Sequence, residues 1–233
     1  MATFTRLVPF THEVPVDLHR PDGGGDGSLV VALHGLGSSA ELFARIVLPS
    51  IPDGASMLIP QAPLPFQSRT ATDMRQGNGW YVYTGESEPF LSTMRRAEDW
   101  LLRVLDATLA DYALDAKRVS LLGFSQGGYL AAYMGLRHAP RFRRLVVASA
   151  RIKHEVLADD ARRAAESGLR VLQVHGADDA DVAPDASRDS AAALAAVGLA
   201  VDFRTYPGGH AVLRDEACRA DVRAFLAAGS PSE

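Results

Sequence analysis

Short, continuously apolar runs recur along this chain, and segments with apolar residues at helical spacing separate them. Such runs are typical of parallel strands that have both faces covered. Met94, Ala97 and Leu101 open the clearest helical pattern, which predicts an amphipathic helix of about 18 residues. The apolar runs lie at residues 29–33, 56–59, 119–122 and 145–148, and two further strands are predicted at residues 169–174 and 200–206. This alternation predicts an α/β fold in which helices flank both faces of a mostly parallel central sheet.

The segments around these runs complete the predicted order of elements. Residues 13–19 alternate apolar and polar positions and predict a half-buried strand, with residues 4–9 as its antiparallel neighbour. A short helix is predicted to begin after Ser38, its N-cap, and a last helix covers residues 212–226. Residues 66–90 are predicted to form a long, irregular loop rich in aromatic side chains.

Composition and charge narrow the classes of function. Hydrophobic residues make up 47% of the 233 residues and charged residues 22%, which predicts a single globular domain over residues 1–233. The net charge of −4 and the scattered arginines give no footprint for nucleic acid. Cys218 is the only cysteine, which permits no internal disulfide and favours a reducing compartment. Without a signal pattern or a long apolar run, we expect a cytoplasmic protein with no integral membrane segment, either a monomer or a homodimer.

The pentapeptide Gly123-Phe124-Ser125-Gln126-Gly127 stands between an apolar run and a predicted helix. A Gly-x-Ser-x-Gly sequence in that place indicates a nucleophile elbow, a tight turn that presents a serine hydroxyl at the edge of the sheet. Glycines are favoured there because the turn brings backbone segments too close for a Cβ. Chance alone produces the pattern in roughly one chain in fifteen of this length. Its weight therefore depends on whether the chain supplies partners for Ser125.

A nucleophilic serine needs a base to take its proton and a carboxylate to orient that base. His210 follows the predicted strand at 200–206, while three aspartates, Asp178, Asp179 and Asp181, follow the predicted strand at 169–174. Because these loops and the serine all follow parallel strands, we expect them at one end of the sheet. The residues themselves leave open which aspartate is the acid. The acidic turn lacks the glycine and the distal glutamate of a calcium loop, so no metal is expected.

Backbone N–H groups are the expected donors to the oxyanion of a tetrahedral intermediate. Gln126 directly follows the serine at the start of a helix, and Leu36 lies in the glycine-rich turn after an earlier strand. His34 and His175 each precede a glycine at a strand end, where an imidazole is expected to bond to the backbone of the turn.

Together these segments resemble the phospholipase/carboxylesterase family of α/β-hydrolases, which includes acyl-protein thioesterases and small bacterial carboxylesterases. The likeness spans residues 29–213. Its pieces are the two later loops together with Leu33-His34-Gly35-Leu36-Gly37, Pro60-Gln61-Ala62-Pro63, Gly79-Trp80-Tyr81 and Gly123-Phe124-Ser125-Gln126-Gly127-Gly128. The resemblance implies the α/β-hydrolase fold, hydrolysis of carboxylic esters or thioesters, and independence from cofactors.

The resemblance also implies roles for individual residues. In the family pattern two residues separate a His-Gly pair from the acid, which places the acid at Asp179, and the family's oxyanion donors fall on Leu36 and Gln126. This chain departs from the family pattern at Ala183, where the family has a proline that here comes one position later, at Pro184.

The leading hypothesis is a serine carboxylesterase or thioesterase that forms an acyl-enzyme on Ser125, with a small acyl ester or thioester as substrate. Alternatives on the same fold are a lysophospholipase or a lactone hydrolase similar to dienelactone hydrolase, whose elbow carries a cysteine. A dinucleotide-binding oxidoreductase is disfavoured because the glycine pattern is incomplete, and a non-catalytic binding module is the remaining alternative. Trp80 is expected either to line an acyl pocket or simply to pack its loop onto the domain.

Overall fold

The computed structural model describes residues 12–69, 73–83 and 87–228. Within these residues the chain alternates strands and helices, as the apolar runs predict. The strands are β1 (Val16–His19), β2 (Leu29–Leu33), β3 (Ser56–Pro60), β4 (Leu64–Arg69), β5 (Met74–Gly79), β6 (Val119–Phe124), β7 (Arg144–Ala148), β8 (Arg170–Gly176) and β9 (Ala200–Tyr206). The helices are α1 (Ala40–Val47), α2 (Ser87–Asp111), α3 (Gln126–Arg137), α4 (Ala158–Glu166), α5 (Pro184–Ala196) and α6 (Glu216–Ala227).

The central sheet has the strand order β1-β3-β2-β6-β7-β8-β9. Strand β1 pairs antiparallel with β3, and every other neighbouring pair in this sheet is parallel. Parallel strands end at the same edge of a sheet, so the loops after β2, β6, β8 and β9 meet at one end. The predicted α/β-hydrolase fold with a mostly parallel sheet is confirmed.

The core has two layers because successive residues of a strand point to opposite faces of the sheet. Alternate residues of β2, such as Val31, pack with apolar residues of α2, α3, α4 and α5 on one face. The intervening residues, such as Val30, pack with apolar residues of α1 and α6 on the other face. Strands covered on both sides have apolar residues throughout, which explains the continuous runs in the sequence.

Residues 64–79 correct the prediction of an irregular loop over residues 66–90. Strands β4 and β5 pair antiparallel from Leu64 opposite Gly79 to Arg69 opposite Met74. The hairpin is polar and largely exposed, so it has no apolar periodicity by which the sequence could predict it. Its open end, where β5 finishes, bridges to Ser38 through Asn78, which fixes the hairpin beside the turn that follows β2.

Smaller differences concern the ends of elements. Helix α1 has Ser39 rather than Ser38 as its N-cap, because the Ser39 hydroxyl accepts a hydrogen bond from the Leu42 N–H. Helix α2 has 25 residues, longer than the apolar pattern predicts, and α6 begins at Glu216 after a short 3-10 turn. The strand predicted at residues 4–9 lies outside the described residues. None of the described helices combines the length and apolar character needed to cross a membrane.

Candidate active site

Ser125 lies in a strained turn between β6 and α3. Its backbone has φ 52° and ψ −120°, a left-handed conformation that is costly for any residue with a Cβ. The Ser125 N–H donates to the carbonyl oxygen of Ala148 at 2.9 Å, which anchors the turn to β7. A Cβ added at Gly127 would lie 2.3 Å from the Leu33 carbonyl oxygen, so this close approach requires glycine. The local geometry is that of a nucleophile elbow.

His210 lies between the serine and an aspartate. Its Nε2 is 2.9 Å from the Ser125 Oγ, and its Nδ1 is 2.9 Å from the Asp179 Oδ2. The three side chains come from the loops after β6, β8 and β9, so the parallel topology brings them together. A carboxylate can only accept, so Nδ1 carries the imidazole proton and Nε2 is left to accept from the serine hydroxyl.

The structure separates the three aspartates that the sequence leaves open. Asp179 is buried, whereas Asp178 and Asp181 are exposed. The Asp179 Oδ1 accepts the N–H groups of Asp181 and Val182 at 2.9 and 3.0 Å. Burial by itself raises the pKa of Asp179, but the hydrogen bonds from Val182 and His210 outweigh it and lower that pKa. Asp179 is therefore the ionised carboxylate in contact with the histidine.

His175 supports the turn that carries Asp179. The His175 ring is fully buried, and its Nε2 lies 2.8 Å from the Val182 carbonyl oxygen and 3.1 Å from the Asp179 Oδ2. Both neighbours are acceptors, so Nε2 carries the proton. This imidazole bonds to the backbone of its own turn, as predicted for a histidine before a strand-end glycine.

A hydrogen bond from Ser149 fixes the backbone of His210. The Ser149 Oγ donates to the His210 carbonyl oxygen at 2.7 Å, and the Ser149 N–H donates to Val174 at 2.9 Å. Ser149 is fully buried and has φ 48°, so it resembles Ser125 in its strained backbone. Nothing in the sequence indicates this role, because Ser149 lies in an ordinary Ala-Ser-Ala stretch after β7.

The turn after β2 lies against the serine. A Cβ built on Gly35 would be 3.4 Å from the Ser125 Cβ. Within this turn the Gly37 N–H donates to Asn78 at 2.9 Å, and the Ser38 N–H donates back to Gly35 at 3.3 Å. Those two donors are thus engaged by the protein itself. Leu36 lies between them and is half exposed, and its N–H is the donor that the sequence predicts.

His34 supports the same turn through two hydrogen bonds of its imidazole ring. Its Nε2 accepts the Ala62 N–H at 3.1 Å, so the proton is on Nδ1, which donates to the Gly35 carbonyl oxygen at 2.8 Å. Burial lowers the pKa of His34, which keeps this imidazole neutral near pH 7. His34 therefore holds the turn as a hydrogen-bonded support rather than as a second base.

Gln126 connects the nucleophile helix to residues 80 and 81. Its side-chain oxygen accepts the Trp80 N–H at 2.9 Å, and its side-chain nitrogen donates to the Tyr81 carbonyl at 3.0 Å. The Gln126 backbone begins α3, where N–H groups have no partner inside the helix and the helix dipole favours negative charge. The sequence predicts a role for the backbone of Gln126 alone, and the structure adds these two hydrogen bonds of its side chain.

Trp80 lies under the turn after β2. Its indole N–H donates to the His34 carbonyl oxygen at 2.7 Å, and its ring is 1% exposed. The ring packs against His34 and Trp100, with centroids 5.1 and 6.5 Å apart. The ring thus has no face on an open pocket, and the packing alternative fits this position better than a substrate contact.

Among the described residues, Asp179, Asp181 and His210 are grouped closely enough to hold a metal ion, with ligand atoms within 4.8 Å of one another. The Asp179 oxygens already accept from two backbone N–H groups and an imidazole. Asp181 is 4.0 Å from the His210 Nδ1, and its side chain is 74% exposed. This arrangement suits the orientation of a base.

The family model described as Phospholipase/Carboxylesterase matches residues 24–228 of this chain. Among solved structures, esterase PE8 is 24% identical, with a TM-score of 0.72 over 92% of this chain and 98% of its own. A carboxylesterase from Mesorhizobium loti is 20% identical, with a TM-score of 0.72 over 93% and 95% of the two chains. Zea mays acyl-protein thioesterase 2 is 21% identical, with a TM-score of 0.69 over 91% and 99%. No curated protein matches the sequence.

Proposed function

The chain belongs to the phospholipase/carboxylesterase family, and we propose that it is a serine hydrolase that cleaves carboxylic esters or thioesters through an acyl-enzyme. The observation that carries this proposal is the unbroken hydrogen-bonded series from Ser125 through His210 to Asp179. A binding module with no catalytic role has no need of a buried carboxylate, an oriented imidazole and a strained serine in contact. The proposal extends to a single-domain, cofactor-independent enzyme, and a cytoplasmic location stays a prediction.

In the acylation step, His210 acts as general base. The Asp179 carboxylate holds the proton on Nδ1, so Nε2 takes the hydroxyl proton as the Ser125 oxygen attacks the acyl carbonyl carbon. A tetrahedral intermediate forms with negative charge on the former carbonyl oxygen. The imidazolium then gives its proton to the departing alcohol or thiol, and the acyl group remains on the serine as an ester.

The oxyanion is stabilised by the backbone N–H groups of Leu36 and Gln126. The first comes from the turn beside Ser125, and the second from the positive end of α3. N–H groups that are held in place before the reaction need not reorient in the transition state, so the residues that hold them contribute to its stabilisation. Trp80 and His34 support the Leu36 turn, while the Gln126 side chain fastens the start of α3 to residues 80 and 81.

In the deacylation step, water takes the place of the alcohol or thiol. His210 removes one proton from the water as its oxygen attacks the acyl carbon of the ester on Ser125. Collapse of the second tetrahedral intermediate breaks the bond to the serine oxygen, which recovers its proton from the imidazolium. The products are a free carboxylic acid and the original enzyme.

A cysteine-dependent lactone hydrolase is the less suitable alternative. Cys218 lies in α6, is fully buried, and has its pKa raised to about 12 by burial. Such a thiol is protonated at neutral pH and closed to substrates. The elbow carries a serine, so a lactone substrate, if one is used, would also be opened by Ser125.

The test combines a fluorophosphonate label with turnover of p-nitrophenyl acetate and p-nitrophenyl butyrate. The native chain should be labelled once and should hydrolyse both esters, and Ser125→Ala should lose the label and reduce kcat about 10⁴-fold or more. Ser167→Ala is the matched control, since Ser167 is exposed at the end of α4 and its hydroxyl donates to the Ala164 carbonyl, far in sequence from the proposed catalytic residues. Undiminished turnover in Ser125→Ala, or no turnover by well-folded native chain, would refute the proposal.

A further inference from the structure

A small apolar cavity of about 140 Å³ lies beside the proposed catalytic residues. Phe124 and Ala211, the sequence neighbours of Ser125 and His210, both line it, and the Phe124 ring is 5.1 Å from the His210 ring. Phe43 and Ile46 of α1 contribute further apolar wall. The proposed catalytic steps alone do not require an apolar cavity in this place.

Arg214 adds a positive charge to this cavity. It lines the cavity, it is exposed, and its guanidinium makes neither an ion pair nor a hydrogen bond with the described residues. A long arginine side chain can cover apolar surface with its stem while its charged head stays in water. The guanidinium offers paired donors that match a carboxylate. The cavity thus combines an apolar interior with an unpaired cation at its rim.

The position of the cavity decides which part of an ester it faces. His210 is the group that returns a proton to the departing oxygen, so the alcohol part of the ester must lie next to its Nε2. Ala211, Leu213 and Arg214 lie within the four residues after His210 in the chain and form one wall of the cavity. The apolar space therefore lies on the flank of the base, where the leaving alcohol is expected.

We propose that this cavity is the subsite for the leaving alcohol and that it selects a short aliphatic alcohol bearing a terminal carboxylate, which pairs with Arg214. This inference rests on the proposed serine esterase function. A water molecule occupies about 30 Å³ of liquid, so the cavity accommodates roughly four or five groups of that size. Three methylenes fit inside, and the carboxylate then reaches the rim.

The first test compares 4-acetoxybutanoate with its neutral isostere 4-acetoxybutanamide, with hydrolysis followed by proton release. At an exposed rim, one ion pair should make kcat/KM about three- to fivefold higher for the carboxylate. This ratio should fall to about one in Arg214→Gln, drop below one in Arg214→Glu, and shrink in 0.5 M NaCl. Arg103→Gln is the control, because Arg103 is an exposed arginine on α2 and should leave the ratio unchanged.

The second test concerns the apolar interior. Along methyl, ethyl, propyl and butyl acetate, kcat/KM should rise up to about fourfold per methylene, the value of one buried CH₂. Ile46→Trp should abolish this rise by filling the cavity, and Ile46→Ala should extend it to longer alcohols. Ile46 is only partly buried, so both variants should fold.

The outcomes separate this inference from the proposed function. If no ester is hydrolysed, or if hydrolysis does not depend on Ser125, the serine esterase function itself is wrong. If hydrolysis depends on Ser125 but the carboxylate ratio is the same in Arg214→Gln, the subsite is refuted. A carboxylate preference that appears only on the acyl side, with monomethyl glutarate over its amide, would equally overturn the assignment to the alcohol.

Discussion

Replacing Asp179 by asparagine tests the proposed hydrogen-bonded series from Ser125 through His210 to Asp179 at its most buried residue. The asparagine oxygen can still accept from the N–H groups of Asp181 and Val182, as Oδ1 does now. Its NH₂ group would then face the Nδ1 proton of His210 and the Nε2 proton of His175. Two N–H donors that face each other repel, so the His210 proton should move from Nδ1 to Nε2. Nε2 can then no longer accept the hydroxyl proton of Ser125.

The expected loss of activity follows from that change of tautomer. An imidazole with its proton on Nε2 cannot accept from the serine hydroxyl, so kcat should fall on the order of 10⁴-fold, as for other triads. That fall corresponds to about 5.5 kcal/mol of transition-state stabilisation. The free energy of unfolding should fall by only about 1–3 kcal/mol, the cost of an unsatisfied buried polar group.

The pH dependence of the stability loss has a definite sign. The pKa of Asp179 is lowered from 3.8 in the folded state, so its carboxylate stabilises the fold above pH 3.8. That contribution disappears as the pH falls through the folded-state pKa. The difference in unfolding free energy between native chain and Asp179→Asn should therefore be full at pH 7 and shrink below pH 3.8.

The assay is steady-state hydrolysis of p-nitrophenyl acetate with urea unfolding measured in parallel. Asp178→Asn and Asp181→Asn are matched controls, because both side chains are exposed and should keep kcat within about threefold. If Asp179→Asn retains more than a tenth of the native kcat while Asp178→Asn or Asp181→Asn does not, Asp179 is not the acid. Equal, small effects of all three substitutions would refute the orienting role of a carboxylate altogether.

Three further predictions concern Trp80, the glycines of the active-site turns and the buried thiol of Cys218. Trp80→Phe should lower kcat about tenfold and stability by about 1 kcal/mol, since it loses the 2.7 Å hydrogen bond to His34; a change in KM alone would contradict this. Gly127→Ala should not yield active folded protein, because its Cβ would meet backbone at 2.3 Å, whereas Gly209→Ala, with its nearest atom at 3.6 Å, should remain active. Cys218, buried with its pKa raised to about 12, should resist iodoacetamide at pH 8 in native protein and react fully in guanidinium, as measured by mass spectrometry.

The sequence was sufficient for features that depend on short segments. Apolar runs predicted inner strands of the central sheet, because strands covered on both faces are mostly apolar, whereas the edge strands β1 and β9 are partly exposed. The order of Ser125, the acidic turn and His210 could also be predicted, since each directly follows a strand. In a parallel sheet the loops after these strands lie at one end, so the order of the strands alone predicts that the three groups lie close together.

Features set by tertiary contacts could not be predicted in this way. The choice of Asp179 depends on backbone N–H groups that converge only when the turn folds around His175. The hairpin of β4 and β5 has little apolar surface, and its position depends on Gly77, where a Cβ would lie 2.2 Å from the Gly37 carbonyl oxygen. Ser149 acts across 61 residues of sequence, a distance at which no local pattern is informative.

Ser125 and His210 touch in the folded protein but are 85 residues apart in the chain. A ribosome adds about 5–20 residues per second, so the serine emerges roughly 4–17 s before its base. The nascent chain can meanwhile form the strands up to β7, with the elbow serine in place. That intermediate lacks His210, the proposed base, so the chain should be hydrolytically silent during synthesis. Activity should begin only when β9 and the loop after it, which carries His210, have been made and β9 has paired with β8.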